Sequence, residues 1–165
     1  MTPVKGVVTG LVQSIDDPEG LGRVQLTFPK LDASEPVSNW ARIAAPMAGI
    51  ERGLWFMPEV GDEVLVAFED GDIRQPYVIG FLWNGQDQPP ASKAAARTIR
   101  TVSGHEILLD DTEGSEKIAI RFKGDAPSIS LDASAIEIRF SDSSAITLSA
   151  AELKIVNTTL VNINP

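Results

Sequence analysis

The chain has 165 residues, of which 43% are hydrophobic, with no cysteine, a single histidine and a formal net charge of −9 at pH 7. The apolar content suffices for the packed core of one or two small domains. The missing cysteines exclude disulfides, thiol catalysis and zinc held by thiolates, and the single histidine excludes a multi-histidine metal site within one chain. The acidic balance argues against nucleic-acid binding, because contacts to phosphates need clustered Lys and Arg.

Neither a membrane span nor a secretory signal is visible in the chain. No run approaches the roughly 18 consecutive apolar residues that a membrane-spanning helix needs. The first residues, MTPVKGVVTG, lack the long apolar segment of a secretory signal. We therefore expect a protein that is made in the cytoplasm without a signal peptide.

The first half of the chain alternates β-prone runs with turn signals. The runs are GVVTGLVQSI, GRVQLTFP, WARIAA, DEVLVAF and PYVIGFLW. Asp70-Gly71 separates the last two and is a strong hairpin signal. Five short strands are typical of a small closed barrel such as an OB-fold, and all three Trp fall here as candidates for its interior. We predict an OB-fold domain over residues 1–85 and a polar, Pro/Ala-rich linker over residues 86–97.

From residue 98 onward, pairs of apolar residues recur at alternate positions. The pairs are Ile118/Ile120, Ile129/Leu131, Ile136/Ile138, Ile146/Leu148, Leu153/Ile155 and Val161/Ile163. A period of two with many β-branched residues predicts short strands that share one apolar face. Glycine is absent after residue 124, although ordinary hairpins depend on it. A lone sheet of this kind would leave one apolar face and two edges in water, so we expect several copies of the chain to assemble.

Several segments resemble the baseplate central spike proteins of contractile injection systems, the phage baseplate assembly protein V and VgrG-like family. The segments similar to the family's OB-fold are DDPEGLGRVQLTFPKLD, WARIAAP and GLWFMPEVGDEVLVAFEDGDIRQPYVIGFLWNGQDQPP. The segment TIRTVSGHEILLDDTEGSEKIAI resembles the family's entry into a triple-stranded β-helix. The resemblance implies an all-β homotrimer, with an N-terminal OB-fold barrel and an intertwined triple-stranded β-helix over residues 98–165. In such a helix a strand passes to its neighbour with only a slight bend, which would explain the missing glycines.

The resemblance also implies a function. The trimer would be the structural spike of a phage tail-like baseplate, without cofactor or enzymatic activity, that punctures the target cell envelope when a sheath contracts. A baseplate hub protein would bind on the OB-fold side. The residues expected in the trimer core are Ile118, Ile120, Ile129, Leu131, Ile136, Ile138, Ile146, Leu148, Leu153 and Ile155.

The C-terminal segment is the expected site of a tip protein. Strand ends are liabilities that proteins cover, and relatives of the VgrG type carry a PAAR-type tip protein there. The tail TLVNINP has no His-x-His motif with which some phage spikes hold their own metal tip. The expected contact residues are Val161, Asn162, Ile163, Asn164 and Pro165.

Three other groups of residues suggest different chemistry. Ser103 and His105 are too close in sequence to form a catalytic pair from one strand, so His105 is interpreted as a turn residue. The carboxylates Asp110, Asp111, Glu113 and Glu116 lack the spacing of an EF-hand loop and are interpreted as a solvated turn. The three tryptophans are expected in the barrel core or at a subunit interface: Trp40, Trp55 and Trp83. The alternative is that they stack on bases or sugars.

Two alternatives to the spike stay open at the level of sequence. One is an OB-fold module that binds an oligonucleotide or glycan and carries a β-structured oligomerisation stalk. The other is an enzyme that cleaves cell walls, which would need a pair of carboxylates in a pocket.

Overall fold

A computed structural model of the protein describes residues 3–31, 37–124 and 126–157, and they are almost entirely β. The chain forms two compact units, residues 1–88 and 89–165. The first unit contains β1 (Val8–Ser14), β2 (Gln25–Thr27), β3 (Arg42–Ile43), β4 (Ala48–Gly49), β5 (Arg52–Gly53), β6 (Glu63–Phe68), the 3-10 turn Glu69–Gly71 and β7 (Pro76–Phe81). The second contains β8 (Ala96–Arg100), β9 (Glu106–Asp110), β10 (Lys117–Arg121), β11 (Ser128–Asp132), β12 (Ala135–Ser141), β13 (Ser144–Ser149) and β14 (Leu153–Asn157).

The first unit is a five-stranded sheet with strand order β2-β1-β6-β7-β3. These strands arise from the five β-prone runs of the sequence, and β6 and β7 form the hairpin expected at Asp70-Gly71. Both turn residues have positive φ, +50° and +77°, which a Gly tolerates freely and an Asp at modest cost. A separate small hairpin, β4–β5, was not predicted from the sequence.

The core of the first unit is mostly aliphatic. Its buried residues are Val12, Val24, Leu26, Ala41, Val64, Val66, Phe68 and Val78. Trp55 and Trp83 are 72% and 67% exposed, and Trp40 is half-buried beneath the guanidinium of Arg23. Trp55 and Trp83 therefore do not fill the interior of the barrel, and the alternative of a subunit interface stays a prediction. Alternate residues of short strands point inward, and valine and leucine already occupy those positions.

The second unit is a seven-stranded antiparallel meander in which each strand pairs with its neighbours in sequence. The strands reverse through short turns, so the slight bends implied by the resemblance are not observed within the chain. In the turns after residue 124, which contain no glycine, polar side chains take its place. Asp132 accepts hydrogen bonds from the backbone N–H groups of Ser134 (2.8 Å) and Ala135 (3.0 Å). The Ser149 hydroxyl accepts one from the backbone N–H of Glu152 at 3.2 Å. The intertwining of three chains stays a prediction.

Candidate functional site

The second unit carries a continuous apolar face built from two rows of side chains. Antiparallel register places residues of successive strands directly opposite one another. The row that we call the central row contains isoleucine only: Ile99, Ile107, Ile120, Ile129, Ile138, Ile146 and Ile155. Next to it lies the aliphatic margin: Leu109, Ile118, Leu131, Ile136, Leu148 and Leu153.

Every residue expected in the trimer core lies in one of these two rows. The structure adds Ile99, Ile107 and Leu109, which the sequence analysis did not assign to the core. Ile107 and Leu109 show the same alternation as the later pairs, so the signal was present in the sequence.

The face is open to solvent in the single chain. Ile138, at the middle of the sheet, is 51% exposed, and the two rows as a whole are more exposed than the polar residues between them. Of the described residues in the second unit, only Ala119 is a buried hydrophobic residue. The described part of this unit therefore has its apolar surface on the outside and lacks a core within one chain, which is the pattern of an obligate subunit.

The opposite face is mostly polar and carries ion pairs of its own. Arg121 donates to Glu106 at 2.7 Å, and the Thr98 hydroxyl donates to the same carboxylate at 3.0 Å. Partial burial raises the pKa of Glu106, but these hydrogen bonds and the nearby positive charges outweigh it and hold the pKa below its usual value. Arg139 likewise pairs with Glu137 at 2.9 Å. This face is suited to water, whereas the apolar face is suited to a protein partner.

A third row, which we call the aromatic margin, flanks the central row on the side away from the aliphatic margin. Its members are His105, Phe122, Pro127 and Phe140. Phe140 is 71% exposed, and the rings of His105 and Phe122 lie 4.5 Å apart. Between this margin and the central row runs an open apolar groove of about 730 Å³.

His105 is held as a structural turn residue. Its ring Nδ1 accepts a hydrogen bond from the backbone N–H of Lys123 at 3.2 Å. The backbone N–H of His105 donates to the Thr101 hydroxyl at 3.0 Å. The Ser103 hydroxyl also lies 3.3 Å from that of Thr101. The structure does not bring Ser103 and His105 together as nucleophile and base.

Three of the four acidic residues of the neighbouring turn each bind a different partner. Asp110 accepts from the backbone N–H of Thr112 at 3.0 Å and from its hydroxyl, which lowers the pKa of Asp110. Asp111 forms an ion pair with Arg97, and Glu116 accepts from the N–H of Gly114 at 3.2 Å. Over residues 3–31, 37–124 and 126–157, no group of three or more His, Cys, Asp or Glu is placed to hold a metal ion.

The expected tip contacts, Val161 to Pro165, lie outside the described residues. Within the part of the chain that the structure describes, no helix is long and apolar enough to cross a membrane.

Comparison with known families assigns both units. Residues 8–83 match the model of the type VI secretion system/phage-baseplate injector OB domain. Residues 96–161 match the phage baseplate V C-terminal trimerisation domain. The open apolar face belongs to the second of these matches, so its exposure in one chain agrees with a domain that trimerises.

Individual relatives are similar over part of the chain. The type VI secretion system spike protein VgrG3 of Vibrio cholerae is 32% identical over 119 residues, which is 65% of this chain and 12% of the relative. VgrG5 of Pseudomonas aeruginosa, also a type VI secretion system spike protein, is 30% identical over 131 residues, or 72% of this chain and 17% of the relative. The actin cross-linking toxin VgrG1 of Vibrio cholerae is 29% identical over 115 residues, which is 63% of this chain and 10% of the relative.

The chain thus spans only between 10% and 17% of the length of these relatives. Together the two family models leave only residues 1–7, 84–95 and 162–165 unmatched, and the chain belongs to the phage baseplate V family of baseplate and type VI injector spike proteins.

Proposed function

We propose that three copies of this chain form the central spike of a contractile, phage tail-like injection baseplate. The observation that carries the proposal is the apolar face of the second unit, which is open in one chain and lies within a trimerisation domain match. Three such faces turned toward a common axis would form a dry core. The polar faces, with ion pairs such as Arg121–Glu106, would remain in water.

A trimer of this kind suits mechanical work. The meander presents seven strands side by side, each hydrogen-bonded along its length to its sequence neighbours. Closing the apolar face against other copies adds side-chain packing to the backbone ladder, and the resulting rod has no single chain that can unfold independently. A stiff rod transmits an axial push without buckling.

The finer parts of the function follow from the family resemblance. The spike would puncture the target envelope on contraction, bind a baseplate hub protein on the OB side and carry a PAAR-type tip protein on residues 161–165. Its role would be structural, not enzymatic. It would reside in the assembled baseplate of a virion or a phage tail-like particle.

The runner-up is recognition of a glycan or oligonucleotide by the OB domain. Trp55 and Trp83 are well exposed, and such side chains stack on bases or sugars. However, the small pocket beside Trp83 is lined by Asp62, Glu63 and Asp87, which repel a polyanion. Among these ligands a neutral glycan fits better than a nucleic acid.

The decisive experiment is the solution mass of the full chain by light scattering. One chain weighs 17.7 kDa, and we expect three times that mass down to sub-micromolar concentration. A monomer with an intact β-type circular dichroism spectrum would refute the spike. Binding of a glycan by such a monomer would then favour the alternative.

A further inference from the structure

With the aromatic margin included, the apolar face of the second unit consists of three rows of side chains with different chemistry. The central row lies between the aromatic margin and the aliphatic margin. Neighbouring rows are two residues apart along each strand, which separates them by about 6.6–6.8 Å. The three rows together are therefore about 13–14 Å wide. On β12, the aromatic margin is represented by Phe140, the central row by Ile138 and the aliphatic margin by Ile136.

When three equal faces enclose one axis, the middle of each face comes closest to the axis. The two edges of each face then meet the edges of its neighbours at three corners. Rotation about a three-fold axis always brings the left edge of one copy to the right edge of the next. From this geometry we propose that the aromatic margin of each copy packs against the aliphatic margin of the next copy, while the central row lines the axis.

The side chains fit this assignment, which rests on the proposed trimer. Phe140 is 71% exposed, more than any residue of the two aliphatic rows, of which Leu153 is the highest at 63%. A large ring at the margin can reach across a corner, whereas the central row has isoleucines only, of uniform size, as a narrow axis requires. Such a contact joins two different surfaces of the same chain, and contacts of this type close into rings.

The heights of the contacts along the rod follow from the same symmetry. Equivalent strands of the three copies lie at one level, so Phe140 of one copy faces Ile136 of the next. A tilt of the strands would shift the contact by one strand, to Leu131 or Leu148. At the level of β10, Phe122 would likewise face Ile118.

Disulfide cross-linking tests the proposal, because the chain contains no cysteine of its own. The variant carries Phe140→Cys together with Ile136→Cys. These positions are four residues apart on one extended strand, roughly 13 Å, and a disulfide spans no more than about 7 Å between Cα atoms. Any disulfide between them must therefore join two copies. After oxidation, we expect a covalent trimer as the main band on a non-reducing denaturing gel.

Three further variants make the result specific. Phe140→Cys with Leu131→Cys or with Leu148→Cys covers a tilt of the strands. Phe140→Cys with Thr147→Cys is the matched control, because Thr147 lies on the polar face, and we expect only monomer on the gel. If the β12 variants do not trimerise under reducing conditions, Phe122→Cys with Ile118→Cys tests the same corner at β10.

The outcomes separate this proposal from the trimer itself. A trimer by light scattering that gives no covalent trimer with any aromatic–aliphatic pair would overturn the corner contact and leave the spike intact. Covalent dimers as the end product would also overturn it, because they indicate a two-fold arrangement. A monomer of the unmodified chain by light scattering would overturn the proposed function first.

Discussion

Glu137 and Ile138 are adjacent on β12 but lie on opposite faces of the sheet. Ile138 lies directly opposite Ile129 on β11 and Ile146 on β13, whereas Glu137 pairs with Arg139 at 2.9 Å. Neighbouring residues of β12 therefore belong to different surfaces: Ile138 lies on the apolar face and Glu137 on the polar face.

We predict that Ile138→Asp abolishes the trimer. It would place three carboxylates together in the apolar interior, at a cost of several kcal/mol for each ion. Ser141→Asp, on the polar face of the same strand, should be tolerated. Light scattering and thermal melting of both variants check this. Equal behaviour of the two would mean that the assignment of the faces is wrong.

In the OB domain, the Asp17–Arg23 pair should make stability depend on pH. The Asp17 side chain is 2% exposed and accepts hydrogen bonds from Arg23 Nη2 at 2.7 Å and Nε at 2.9 Å. These bonds, with smaller contributions from the backbone N–H groups of nearby residues, hold the pKa of Asp17 well below its usual range. The pKa of Asp17 is lower in the folded state than in the unfolded state, where it is about 3.9. The ionised carboxylate therefore gives its full stabilisation at pH values above the unfolded pKa. The stabilisation is lost as pH falls through the folded pKa.

Asp17→Asn removes this charge-dependent stabilisation. We expect a lower melting temperature at pH 7 and a smaller drop in melting temperature as the buffer goes from about pH 5 to pH 3, below the unfolded pKa. Asp16→Asn is the control, since Asp16 is an exposed neighbour of the same charge. A pH dependence of Asp17→Asn identical to that of the parent would show that the pair does not contribute.

The close approach of Trp55 to Gly22 leads to a third prediction. A methyl group at Gly22 would lie 2.5 Å from the edge of the Trp55 ring, so Gly22→Ala must displace that ring. Gly22 also has φ +71°, which costs a non-glycine residue roughly 1–2 kcal/mol. Gly20→Ala is a matched control, with a similar φ of +64° and open space around the added methyl group. Both variants should lose stability, but only Gly22→Ala should change tryptophan fluorescence.

Deletion of residues 161–165 tests the proposed tip contact. We expect the truncated protein to remain a trimer, because the described members of the central row and of the aliphatic margin, as far as Ile155 and Leu153, are all retained. Capture of a PAAR-type tip protein in a pull-down should be lost. Light scattering on the same sample confirms that the trimer survives the deletion. Undiminished capture by the truncated trimer would place the tip contact elsewhere.

Much of the architecture follows from local patterns of the sequence. Alternation of apolar and polar residues has a period of two in every strand, so it specifies which residues share a face before any partner strand is known. This is why the residues expected in the trimer core all lie on one face of the meander. Short β-prone runs with turn residues between them were likewise enough to place the five strands of the OB sheet and the hairpin at Asp70-Gly71.

Only the tertiary structure decided which apolar residues are enclosed. Trp55 and Val64 are both hydrophobic, yet Trp55 is 72% exposed and Val64 is fully buried, because strand direction and register, not hydrophobicity, select the inward positions. The turns show the same limit: Asp132 and Ser149 close reversals that glycine usually makes, through hydrogen bonds that exist only once the strands pair. The division of the apolar face into a central row and two margins also depends on register between strands, which a single strand's sequence does not contain.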